Sequence, residues 1–243
     1  MRSLSAEEVL RVWERGLEQL PLQRALVLLE AACPESTPQG LASMSIGRRD
    51  ASLLQLRELA FGSRMTGCAV CQSCGESLEI DLLVSDLLQL AGDAEPGVLA
   101  LAAAGHEFTF RNVNSLDLAA CRGASPEQMR RLLFARCLLT AQTEGREIPA
   151  EQVPEEVVQT AVEEAVKADP QANLEIVVAC VACGNRGIEV FDVVFFLWNE
   201  IDVWARRVLR DVHALASAYG WRESDILELT PLRRQFYLEM AGA

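Results

Sequence analysis

The sequence predicts an α+β chain, mainly α-helical, with helical N- and C-terminal segments around a split four-cysteine ribbon that carries a mostly helical insertion. Three observations predict it. Two C-x-x-C-G motifs stand far apart, Cys71-Gln72-Ser73-Cys74-Gly75 and Cys180-Val181-Ala182-Cys183-Gly184. Short β-branched segments flank them. Long segments of helical periodicity, with caps, fill both ends of the chain.

The cysteine motifs come first in the argument. A two-residue spacing lets both sulfurs of a motif face one ion, and the following glycine takes the positive φ of the tight turn without steric cost. Two motifs supply four thiolates, the full complement of a closed tetrahedral structural zinc site, with Cys71, Cys74, Cys180 and Cys183 as ligands. Leu174-Glu175-Ile176-Val177-Val178 leads into the second motif and Gly187-Ile188-Glu189-Val190-Phe191 leads out, as hairpin arms would. Leu78-Glu79-Ile80-Asp81-Leu82 can be laid over Ile188 to Phe191, a weak internal repeat. The 105 residues between Cys74 and Cys180 make the ribbon a split one.

Other uses of the cysteines fit less well. A thioredoxin-like redox pair needs a βαβ setting, which neither motif has. Structural disulfides belong to oxidising compartments, and no signal peptide is evident, so the expected location is the cytoplasm or an assembled particle. Catalytic zinc keeps an open position beside His or carboxylate ligands, and no His lies near either motif. Cys68 extends the first cluster to C-x-x-C-x-x-C, so Cys68/Cys71 is an alternative ligand pair. Only Cys74 is followed by glycine, which favours Cys71/Cys74. Cys33, Cys121 and Cys137 read as small buried hydrophobes.

Composition narrows the function classes. The chain has 243 residues, half of them hydrophobic, ample for a core. No apolar run reaches the length of a membrane span. Twenty-two basic against 35 acidic side chains give a net charge of −13, the wrong sign for neutralising phosphates.

In chain order, five segments are expected: helical 1–64, the first ribbon half 65–90, an inserted segment 91–171, the second ribbon half 172–193 and helical 194–243. Ser5 caps a first helix carrying Val9, Trp13, Leu17 and Leu20, with Glu7 and Glu8 in its first turn. Pro21 opens a second, to Ala32. Residues 33–40 read as loop from their prolines and glycine. A third helix, Ile46 to Phe61, stops at Gly62; its Arg48 and Arg49 read as solvated surface or partner contact. Leu82 to Leu90 passes from strand to helix, and Ala91 to Gly97 is loop. In the insertion, Glu107 to Arg111 reads as strand and Asn114 or Ser115 caps a short helix through Cys121. Ser125-Pro126 opens a helix to about Thr140, Thr143 to Pro154 is loop, and Glu155 to Ala168 is a helix. A long helix from Phe195 to Tyr219 carries Leu197, Ile201, Trp204, Val208 and Leu215 on one stripe. Ser224 caps a short turn and Thr230-Pro231 starts a final helix. Glu163 and Glu164 read as a solvated helix face, and His106 and His213 as structural, since no Ser, Cys or carboxylate is placed to form a relay. No phosphate loop, G-x-S-x-G or H-E-x-x-H is present, so the expectation is a non-enzyme.

Two stretches carry a family resemblance. One is Ile46-Gly47-Arg48-Arg49-Asp50, Leu53-Leu54, Leu56-Arg57-Glu58 and Phe61-Gly62 leading into C-x-x-C-G. The other is Trp198-Asn199-Glu200-Ile201-Asp202, Trp204-Ala205, Asp211-Val212-His213-Ala214-Leu215, Tyr219-Gly220-Trp221, Asp225-Ile226-Leu227, Arg233-Arg234 and Tyr237-Leu238. Together they resemble the T-even-type baseplate or baseplate-hub assembly proteins of contractile phage tails and contractile injection systems. The resemblance covers most of the chain except about 91–171. It implies a structural or chaperone-like protein whose partners are other baseplate or tail proteins. Aromatics and arginines dominate interfaces, which makes Trp198, Trp204, Trp221, Arg233, Arg234, Phe236 and Tyr237 candidate contact residues. The alternative is a zinc-ribbon nucleic-acid-binding or transcription-associated factor. It would want a basic ribbon, and only Arg186 lies beside a motif.

Overall fold

Caps and turn residues fix most element ends in the computed structural model, which describes residues 1–88, 98–103 and 105–242. The helices are α1 (Ala6–Gly16), α2 (Pro21–Ala32), α3 (Pro38–Ser43), α4 (Ile46–Phe61), α5 (Val84–Leu88), α6 (Ser115–Ala120), α7 (Pro126–Cys137), α8 (Glu155–Ala168), α9 (Val193–Tyr219), α10 (Glu223–Leu227) and α11 (Pro231–Ala241). The strands are β1 (Arg64–Val70), β2 (Ser77–Leu83), β3 (Leu99–Ala103), β4 (His106–Phe110), β5 (Leu138–Thr143), β6 (Arg146–Glu147), β7 (Glu175–Ala179) and β8 (Arg186–Val190). The fold is α+β and mainly helical. The loop expected over 91–97 lies outside the described residues.

The helix starts have local causes. Ser5 and Glu8 form a reciprocal capping box, as do Asn114 with Asp117 and Ser125 with Gln128; each box satisfies two otherwise orphaned donors. Proline opens α2, α3, α7 and α11, where its missing N–H costs nothing. α3 falls partly in the expected 33–40 loop, because the Thr37 hydroxyl accepts from Gly40 N–H and caps it. The turn expected from a Ser224 cap is instead α10, preceded by Arg222 with no side-chain cap.

The chain divides into two compact units, residues 1–35 with 193–243, and residues 36–192. In the first, α9 is the spine. Its buried Leu197, Ile201, Ala205, Val208, Val212 and Leu215 step by four or three residues, the spacing of a single apolar stripe. Ala205 and Val212 lie on that stripe, whereas the expected Trp204 is only half-buried. Gly16 ends α1 against Trp198: a Cβ there would stand 2.2 Å from the indole Cη2. The Arg24 guanidinium lies 4.4 Å from the same ring's centroid and its Nε donates to Gly16 O at 2.9 Å. Trp13 Nε1 donates to Asp202 Oδ1 at 2.9 Å, and Arg206 holds the other oxygen. Leu17 and Leu20, expected inside, are exposed, because α1 has already ended.

The second unit contains the ribbon, α4 and the insertion. The insertion is a four-stranded antiparallel sheet in the order β3-β4-β5-β6 with helices. Its core is Phe108, Phe110, Phe134, Ala141, Val153, Val157, Val158 and Ala161. Three of its strands escaped the sequence reading, β3 among them. Leu138 to Thr140 begins β5 where the α7 helix was expected to continue, and β6 lies in the expected 143–154 loop. Glu144 and Gly145, at φ 50° and 76°, make the turn between them.

Arg49 corrects a second expectation. It is buried, not solvated, and pairs with buried Asp50 at 2.7 Å, while Arg48 stays exposed. Arg57 is buried as well, and its Nη1 donates to Gly62 O, the cap that ends α4.

Candidate metal centre

Each motif sits at the tip of a two-stranded antiparallel hairpin, β1–β2 for the first and β7–β8 for the second. The tips have the same hydrogen bonds. Cys71 N–H donates to Glu76 O and Gly75 N–H to Cys71 O, both at 2.8 Å. In the second tip Cys180 N–H donates to Asn185 O at 2.8 Å and Gly184 N–H to Cys180 O at 2.9 Å. Gly75 and Gly184 take φ of 76° and 74°, a left-handed conformation that a Cβ disfavours.

The tips bring four sulfurs together. Cys71 Sγ is 3.7 Å from Cys183 Sγ, Cys74 Sγ is 3.6 Å from Cys180 Sγ, and all four lie within 4.8 Å of one another. With metal–sulfur bonds of 2.3 Å, a tetrahedron has edges of about 3.8 Å. The cage therefore fits a single tetrahedral ion, and the four cysteines are positioned to bind one. Cys68 is not part of it: it is exposed on β1, opposite Glu79.

The backbone prepares the sulfurs for a cation. N–H groups of Cys74 and then Ser73 point at Cys71 and hold its thiol down to about 6. The Glu76 N–H pulls Cys74 the same way, but the neighbouring thiols of Cys183, Cys180 and Cys71 outweigh it and push Cys74 up to about 12. Crowded sulfurs cannot all ionise unaided; a bound metal removes the conflict.

Packing would give a metal bound here a structural task. The buried residues clustered at the centre are Cys71, Leu78 and Cys180, with Val178 against them. A two-stranded hairpin is marginal alone in water, so a metal bound at the tips would tie the two hairpins together.

The other singled-out residues lie away from the sulfurs. Glu163 and Glu164 are held along α8 by Gln159 and Lys167. His213 is exposed on α9 and His106 lies on β4. Of the candidate contact residues, Trp198 and Arg234 are buried, which corrects their expected place at a surface. Arg234 Nε faces Asp211 at 3.7 Å. Trp221 and Tyr237 form a three-ring cluster with Tyr219, at centroid distances of 4.7 to 6.0 Å, and Trp204 is half-buried. Arg233 and Phe236 are exposed on α11. No helix among the described residues is long and apolar enough to cross a membrane.

The sequence reading missed a polar centre in the insertion. Asp117 is fully buried and its carboxylate accepts from Arg111 at 2.6 and 2.9 Å, Arg136 at 3.0 Å and Asn114 N–H at 3.1 Å. The N-x-x-D spacing of its capping box was the available signal. No family model matches the sequence, and no curated protein or solved structure matches it.

Proposed function

We propose that the four thiolates hold one structural Zn2+ and that the chain is a non-enzymatic structural or assembly protein of a contractile-tail or injection-system baseplate, working through protein–protein contacts. The observation that carries the metal reading is the four-sulfur cage, with paired edges of 3.7 and 3.6 Å. Four thiolates saturate tetrahedral zinc, so no position is left for substrate or water. An all-sulfur tetrahedron also suits iron, which elemental analysis distinguishes. The baseplate reading rests on the residue resemblance at both ends of the chain. Charge supports a protein partner over a nucleic acid: the 36–192 unit, which holds the ribbon, carries 12 basic and 22 acidic side chains, a field that repels phosphate.

Mass spectrometry of purified tail particles, set against the producing lysate, tests the place. Presence in particles at fixed stoichiometry identifies a permanent subunit; presence only in particle precursors identifies a chaperone. Absence from both, or tight DNA binding at physiological salt, rejects the reading.

A further inference from the structure

The two ribbon hairpins share a register but not a surface. Adding 109 to each residue number lays β1–β2 over β7–β8, rung for rung. Alternate residues of a strand share a face, and the outward face of β1–β2 exposes Thr66, Cys68, Glu79 and Asp81. There Arg64 and Thr66 donate to the Asp81 carboxylate. The counterparts on β7–β8 are Glu175, Val177, Ile188 and Val190, and the last three are 63 %, 65 % and 67 % exposed. The tips differ in the same way: Gln72 in the first becomes Val181 in the second, 94 % exposed. Among the shared rungs only Val70, over Ala179, runs the other way. A cross-strand apolar pair stabilises a hairpin, yet β1–β2 keeps the same register with Cys68 opposite Glu79. Val177 opposite Ile188 is therefore not needed to form the hairpin. Grouped aliphatics facing water mark an interaction surface.

We propose that the outward face of β7–β8 packs on the same face of a second copy of this chain, forming an isologous dimer. Charge identifies the occupant. Glu175 and Arg186 are the only charged residues on the face, and they stand at its opposite ends. Glu175 is opposite Val190 at the base, and Arg186 is opposite Ala179 beside the tip. In a two-fold contact, residue i meets j and j meets i. With the strands of the two copies antiparallel, each Glu175 falls over the Ala179–Arg186 rung of the other copy. The Val177–Ile188 rungs then meet at the axis. Arg186 makes no ion pair among the described residues, and Glu175 accepts only from the Asn173 amide, at 3.1 Å. One positive and one negative group leave the face neutral on a chain of net charge −13. A second copy thus meets no repulsion here, whereas a basic partner would gain nothing from this face. Three aliphatic side chains from each copy and two ion pairs make a small interface, which implies weak association, with a Kd of about 10–100 µM.

The test is sedimentation equilibrium of the full-length protein from about 5 to about 500 µM. The apparent mass should climb from the 26.7 kDa of one chain toward twice that value. Ile188→Glu with Val190→Asp gives β8 the residues that β2 carries, and should weaken association at least about tenfold. Glu175→Arg sets arginine beside arginine and should weaken it about tenfold; adding Arg186→Glu should restore it. Phe236→Glu, on the exposed side of α11, should leave the dimer unchanged. These positions are exposed, so the variants should fold. Should the β8 double variant fail to fold, the charge swap alone decides. A monomer over the whole range, a dimer that survives the β8 double variant, a charge swap that does not restore it, or a dimer lost in Phe236→Glu would each overturn the proposal. The dimer is independent of the baseplate reading, so a monomeric protein leaves the particle test standing.

Discussion

Cys71 Sγ lies 3.7 Å from Cys183 Sγ, and this pair is the image of Cys180 with Cys74, at 3.6 Å. A shift of 109 positions carries Cys71 onto Cys180, Cys74 onto Cys183 and Gly75 onto Gly184. It also carries the last rung of the first hairpin, Val70 with Ser77, onto Ala179 with Arg186. The two sulfur pairs exchange when the motifs are exchanged, and each motif gives one buried and one exposed cysteine. Ligands from one hairpin alone would leave half a coordination shell, so binding of the proposed metal would couple to hairpin docking.

Ligand loss should therefore be symmetric. Elemental analysis is expected to find about one zinc per chain. Cys71→Ser and Cys180→Ser should each abolish stoichiometric metal and lower the melting temperature to the same extent. Cys68→Ser should change neither. Zinc retained in Cys71→Ser but lost in Cys68→Ser would place the ligand register three residues earlier.

The buried carboxylate of Asp117 makes a pH-dependent contribution. Burial pushes its pKa up, but the Arg111 hydrogen bonds, the Asn114 N–H and Arg136 outweigh burial and hold it below the ordinary value. A carboxyl depressed in the folded state stabilises above its unfolded pKa, about 3.9, and loses that contribution as pH falls through the folded value. Thermal melts should show part of the acid destabilisation below about pH 4 disappearing in Asp117→Asn. At pH 7, Asp117→Ala should cost about 2–3 kcal/mol, less than a fully buried pair because both arginines are partly exposed.

Gly47 has a packing requirement at its Cβ position. A Cβ there would lie 1.8 Å from Asp169 Oδ1 and 3.0 Å from Ala172 N, and Gly47 N–H donates to the same carboxylate. Gly47→Ala should lose about 1–3 kcal/mol by denaturant titration, the usual penalty for overpacking. Its zinc content should stay at the wild-type value.

The parts of the fold legible in sequence were those with local causes. Ser5, Thr230, Pro21, Pro126 and Pro231 opened helices where expected, and the paired C-x-x-C-G motifs foretold a cage that closes across 105 intervening residues. What stayed hidden depended on distant partners. β5 follows α7 without a breaker, and only pairing with β4 makes Leu138 to Thr143 a strand. Arg49 looked solvated because charges near a helix start usually are; burial beside Asp50 is a tertiary fact. The residues that carried the resemblance are largely packing residues: Gly47 meets Asp169, Asp202 receives the Trp13 indole, and Tyr219 stacks on Trp221 with Tyr237 edge-on to both.

That sorting moves the expected contact surface onto one face of α11. Leu232, Phe236 and Met240 recur every four residues and are 68 %, 57 % and 67 % exposed, an apolar ridge with exposed Arg233 beside it. Helices dock into partner grooves through anchors at this spacing. Arg234 belongs to the interior with Asp211, so its replacement would report on folding and not on contact. The informative variant is Arg233→Glu with Phe236→Glu. Both positions are solvated, so the melting temperature should move by no more than a few degrees, and zinc content should not change. If the ridge is a contact of the proposed baseplate protein, complete tails should fail to form in a complementation assay. Normal, contracting tails from a folded double variant would remove α11 from the contact surface.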